Sequence, residues 1–195
     1  MQILSTRLIL AAFLALTLFS GPIRAADDAG PRLEYPADYR NWIFLTSGLD
    51  MNYDASGRMA DHHMFDNVFV NPAAYESFKA TGRWPDKTVL VKEMRGAPGK
   101  GSINRSGQYQ SVDIMALEVH AKDEKRFPGA WAFFEFDGSK PAAAIPEAAQ
   151  CYSCHAAHGA VDTTFVQFYP TLMPIAEAKK TLAESYRNEN RADRH

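Results

Sequence analysis

The chain has 195 residues, with 21 basic and 23 acidic side chains, a formal net charge of −2 and two cysteines. No basic stripe runs along it, which excludes nucleic acid as an expected partner. The length suits one domain with a sizeable core.

Residues 1–25 read as a signal peptide. Arg7 precedes an apolar run over 8–19 that is too short to span a bilayer as a mature helix, and Gly21 and Pro22 break it. Ala25 or Ala26 offers a small residue for cleavage, although Ile23-Arg24-Ala25 is an imperfect site and an uncleaved anchor is the alternative. Cleavage removes Arg7 and Arg24, so the mature chain is more acidic. No second long apolar stretch follows, so a soluble, periplasmic chain with no membrane partner is expected.

Residues 26–36 form a polar, flexible leader. Asp38 reads as the N-cap of a short helix over 39–47, ended by Gly48, and 49–61 reads as a loop. A strand over 65–70 leads to Asn71-Pro72, which opens a helix over 73–81 closed by Gly82. Residues 88–95 are rich in β-branched side chains and predict a strand; 96–107 are a Gly/Pro-rich loop. A long strand is expected over 109–121, a charged turn over 122–127, and an aromatic strand over 130–136 with Trp131, Phe133, Phe134 and Phe136. After a turn at 137–141, residues 142–150 are expected to be partly helical. Residues 161–169 are apolar, and 171–186 carry helical spacing. The sum is α+β: one domain over 37–186 with an antiparallel sheet of about four to five strands, flanking helices, and a polar tail over 187–195.

The informative stretch is Cys151-Tyr152-Ser153-Cys154-His155. C-x-x-C-H is the attachment pattern of a c-type haem: two thiols form thioethers to the haem vinyl groups, and the adjacent histidine supplies a nitrogen to the iron. A zinc site needs ligands these two cysteines cannot complete, and the preceding Ala148-Ala149-Gln150 lacks the apolar strand of a thioredoxin-like motif. One covalent haem c held by Cys151, Cys154 and His155 is the expectation. A small electron-transfer cytochrome c carries the motif early and is mostly helical, and a cytochrome c′ bundle is wholly helical. A late motif after several strands fits neither.

With His155 on one side of the iron, the other side decides function. A Met or His there makes an electron carrier; the candidates are Met51, Met59, Met64, Met94, Met115, Met173, His62, His63, His120 and His158. His158 is expected to point away, and none of the others stands out, which favours an open iron. Asp66, Asp113 and Glu118 fall on predicted strands and read as surface or paired acids. Phe65 and Met64 are expected as the distal wall, with Phe65 touching the cofactor, and Phe133 and Phe134 behind the haem or in the core.

The chain resembles the cytochrome P-460 and cytochrome c′-beta family. The resemblance rests on Asn71-Pro72, Tyr75, Thr81-Gly82, Thr88-Val89-Leu90-Val91-Lys92-Glu93, the charged run 122–127, Trp131-Ala132-Phe133, Cys151 to His155 and Phe168-Tyr169-Pro170. It implies a sheet-based homodimer with five-coordinate haem c. In the P-460 members the strand lysine, matched here by Lys92, is bonded to the haem macrocycle, and the iron oxidises hydroxylamine to nitrogen oxides. Electrons then pass to an acceptor such as another cytochrome c. In the c′-beta members the bond is absent, and the haem binds nitric oxide or carbon monoxide. Read from the residues alone, Lys92 shares a face with Leu90 and Met94, but both faces of its strand hold apolar residues, so alternation does not settle where it points. Proficient members are expected to carry a distal carboxylate just upstream of the haem motif; here that stretch is Ala142-Ala143-Ala144, with Glu147 beyond. The expectation is a hydroxylamine oxidoreductase, with a nitric oxide or carbon monoxide binding protein or a six-coordinate electron carrier as the alternatives.

Overall fold

Residues 64–70, 89–96, 114–122 and 131–136 are dense in Val, Ile, Phe and Trp, side chains that pack best on a pleated surface. In the computed structural model, which describes residues 30–51, 63–101 and 104–192, they form four of the five strands of one sheet. Its strands β2 (Ile43–Leu49), β3 (Met64–Val70), β4 (Val89–Gly96), β5 (Ile114–Lys122) and β6 (Trp131–Phe136) lie side by side in chain order, all antiparallel. A second, two-stranded sheet pairs β1 (Arg32–Leu33) with β7 (Ala142–Ala143). Four α-helices complete a single α+β domain: α1 (Pro72–Thr81), α2 (Gln150–His158), α3 (Met173–Lys179) and α4 (Glu184–Ala192). The expected signal peptide, the first part of the expected leader, most of the 49–61 stretch, Met59 and His62, and residues 193–195 lie outside the described residues.

Both faces of the large sheet are covered. Val91, Val119, Phe134 and Phe136 join Tyr39 and Phe127 in one core, while Val70 and Leu90 on the opposite face pack with Phe78, Trp84, Val166 and Leu172 in another. Double burial is why both faces of β4 read as apolar in the sequence. α1 begins at Pro72 and ends at Gly82, whose φ of 75° and N–H bond to the Phe78 carbonyl make a left-handed C-cap. Asn71 stands at the N-cap position without a capping bond; its side chain instead accepts from the Val89 N–H at 2.8 Å and donates to the Lys87 carbonyl.

Four expected elements differ. The helix over 39–47 is a single 3-10 turn, Tyr39–Asn41, followed by β2; Asp38 makes no side-chain cap bond, and pairing with β3 takes Ile43, Phe44 and Leu45. The long strand over 109–121 starts only at Ile114, because Arg95 draws the Ser111 and Val112 carbonyls out of the ladder and the register shifts at Met94/Arg95. Residues 142–144 are paired strand residues and 147–149 a turn rather than partly helical: the Ala144 N–H bonds Pro31, the Ile145 N–H bonds Phe133 and the Ala149 N–H bonds Pro146. The helix over 171–186 is two helices, α3 and α4, broken where Lys180 takes φ 58° and the Thr181 N–H closes on Ala176.

Candidate functional site

α2 carries the haem motif. Cys151, Cys154, His155 and His158 recur at the three- and four-residue spacing that puts side chains on one helix face. Cys151, Cys154 and His158 border a cleft of about 1390 Å³ between α2 and the large sheet; His155 lies beside it and does not line it. Thr46, Asp66, Val68, Lys92 and Glu118 line it from the sheet, Cys151, Cys154 and His158 from α2, and Phe165 and Phe168 from the segment between α2 and α3. The volume exceeds the ~300–1,000 Å³ of ordinary small-molecule clefts.

The two cysteines are free thiols. Burial pushes both above their ordinary value, so they are protonated at neutral pH. His155 packs among the rings of Phe165 at 4.2 Å, Phe133 at 4.6 Å and His120 at 5.0 Å. Its Nδ1 donates to the Thr163 carbonyl at 2.8 Å. A carbonyl only accepts, so Nδ1 carries the hydrogen and Nε2 holds the free lone pair. Burial brings the ring down to about 4, more than the Thr163 bond raises it, and so keeps the imidazole neutral, the form that binds a metal. Two reduced thiols and an oriented neutral imidazole on one helix face fit a thioether-bound haem. Among the described residues no three His, Cys, Asp or Glu side chains converge as a metal ion alone would require.

Lys92 projects from β4 into the same cleft, which alternation alone left open. Its Nζ lies 2.7 Å from Glu118 Oε2, its partner in the β4–β5 register, and both side chains are partly solvated. Glu118 is thus a paired acid. Asp113 is exposed and precedes β5, and Glu147 is exposed and does not border the cleft.

Asp66 is not a surface acid, and no salt bridge to it occurs among the described residues. It is 9 % exposed, lines the cleft, and its Oδ1 has no hydrogen-bond partner among the described residues. Burial pushes its carboxyl up, Glu118 and Asp50 add to the rise, and Lys92 opposes it. His120 is the second feature missed in the sequence. It is buried between Trp131 at 4.3 Å and a parallel Phe133 at 4.0 Å, and neither ring nitrogen has a partner among the described residues. Burial holds it neutral, well below the ordinary histidine value.

Phe65 alternates onto the opposite face of β3 from Asp66 and Val68, pairs with Arg95, and does not line the cleft; Met64 does not line it either. Phe133 stands beside the motif, its ring edge-on to both Tyr152 and His155, whereas Phe134 is in the core behind the sheet. Among the described methionine candidates, Met51 borders the cleft and Met64, Met94, Met115 and Met173 do not. His63 bonds Asp50 at 2.5 Å; His158 borders the cleft and bonds Glu189 at 2.8 Å. No helix among the described residues is long and apolar enough to cross a membrane.

The family model described as Cytochrome P460 matches residues 36–166, from the end of the leader through the haem motif. No curated protein matches the chain.

Proposed function

The chain belongs to the cytochrome P460 family, a family of haem proteins, and from that premise we propose that it is an exported, periplasmic mono-haem c protein that oxidises hydroxylamine to nitrogen oxides. The observation that carries the reading is that Lys92, Cys151 and Cys154 face one cleft. Cys151 and Cys154 would hold the haem through thioethers, His155 would offer Nε2 to the iron, and Lys92 would be the residue for a bond to the macrocycle. Bound haem supplies an iron site for the substrate nitrogen and a sink for its electrons. Glu118, 2.7 Å from Lys92 Nζ, holds that amine on the cleft side of β4. Asp66 is a buried carboxylate in the cleft with an oxygen to spare, and it holds the proton that an N–H group gives up. Phe165 and Phe168 give the cleft apolar walls beside α2. A cytochrome c is the proposed electron acceptor. A homodimer belongs to the same reading, supported by the family resemblance and by the exposed apolar run of Tyr109, Val112, Ile114 and Met115.

One observation favours a second reading. Lys92 Nζ is already engaged by Glu118 at 2.7 Å, and both side chains are partly solvated. An uncross-linked, c′-beta-like binder of nitric oxide or carbon monoxide would have such a pair. Hydroxylamine-dependent reduction of a dye by fully haem-loaded protein separates the two. Turnover is expected; ligand-binding spectra without turnover would establish the binder instead.

A further inference from the structure

His155 is aimed by a turn whose own conformation is held from far away in the chain. Past α2 the chain doubles back through Val161–Thr164, where each end bonds the other: Thr164 N–H to the Val161 carbonyl at 2.8 Å and Val161 N–H to the Thr164 carbonyl at 3.3 Å. Between them Asp162 and Thr163 stand at φ 46° and 61°, two consecutive left-handed residues, neither of them glycine. Such a pair persists only where the surroundings fix it. The Asp162 carboxylate receives the Arg83 guanidinium at 3.1 Å and the Trp84 N–H at 3.2 Å. The Trp84 indole N–H donates to Thr164 Oγ1 at 2.7 Å, in the core. Gly159 completes the fit: a Cβ there would lie 2.6 Å from the His155 carbonyl and 2.7 Å from the Thr163 carbonyl carbon.

We propose that Asp162 and Thr164, tethered to Arg83 and Trp84, are positioning residues that set the orientation and donor strength of His155 through the Thr163 carbonyl. The tether's product is one bond, Thr163 carbonyl to His155 Nδ1–H. Polarising that N–H raises the basicity of Nε2, as outer partners of ligating histidines do. The inference rests on the haem reading above, with His155 as the iron ligand.

The test uses haem-loaded protein and two readouts other than turnover: the iron–histidine stretch in the resonance Raman spectrum of the reduced protein, and the midpoint potential. D162N and T164V are expected to lower the stretch and to shift the oxidised-to-reduced balance about tenfold toward reduced, ~59 mV. T164S is expected to restore both. R83Q lies on an exposed side chain that leaves the core intact, and is expected to move both readouts the same way by less. Unchanged stretch and potential in folded D162N and R83Q would overturn the proposal. A wild-type protein without an iron–histidine band would instead overturn the haem reading beneath it.

Discussion

Lys92 and Glu93 are neighbours in sequence and opposites in setting. Glu93 points into the closed face of the sheet, 1 % exposed, and both its oxygens are taken: Tyr39 Oη at 2.5 Å, Arg40 at 2.6 Å and Arg95 at 2.5 Å. Burial alone would push its carboxyl up; the bonds from Arg95, Tyr39 and Arg40 outweigh that and bring it to about 2. Lys92 points the other way, into a cleft that Asp66 also lines; Asp66 Oδ1 there, and both ring nitrogens of His120 beside His155, have no hydrogen-bond partner among the described residues. One face of β4 spends its polar groups on the fold; the other leaves them available. Unmatched buried polar atoms destabilise, and a fold keeps them where a ligand or a reaction uses them.

Breaking the closed face should cost most. E93Q leaves two arginines and a buried tyrosine facing a neutral amide, and about 3–5 kcal/mol of stability is expected to be lost in urea unfolding. The same contrast carries a pH signature. The folded value of Glu93 lies below its ordinary 4.5, so its stabilisation is fully present above 4.5 and lost as pH falls toward about 2. Asp66 has the opposite sign: its folded value is raised, so stability present below the ordinary carboxylate value is lost as pH rises through the raised one. D66N should therefore gain about 1–2 kcal/mol at pH 7, with the gain shrinking in acid, while hydroxylamine turnover falls. E118Q, which breaks the partly solvated pair with Lys92, should cost no more than about 1 kcal/mol. H120F keeps the stacked ring and removes the unpartnered nitrogens, so near-neutral stability is expected. If E118Q costs as much as E93Q, the division between the two faces fails.

The sequence made some of this legible and hid the rest for physical reasons. Cysteine and histidine in the C-x-x-C-H pattern declare themselves locally, and so does a β-branched strand such as β4, with Lys92 marked by resemblance. Asp66 stayed hidden because an acid on a strand reads as solvated until the elements that cover it are known. His120 is a lone histidine whose meaning lies in Phe133 and Trp131 across the β5–β6 pair and in His155 on α2. The residues between β1 and β3 misled because Asp38 ahead of an apolar run mimics a helix start, while the strand in fact forms through its pairing with β3. Phe65 was misplaced by one step of alternation, which turns a side chain to the other face of a sheet. The Arg83–Asp162 tether joins residues far apart in the chain, and no local pattern marks it.

The central claim is that one cleft holds a haem between α2 and Lys92. Protease digestion of haem-loaded protein followed by mass spectrometry of the haem-bearing fragments tests it most directly. The account predicts one haem mass carried by the peptide containing Cys151 and Cys154, with the Lys92 peptide bonded to it. Haem held by the two thioethers alone would contradict the cross-link and turn the reading to a gas-binding protein, and haem released without either peptide would contradict the site itself.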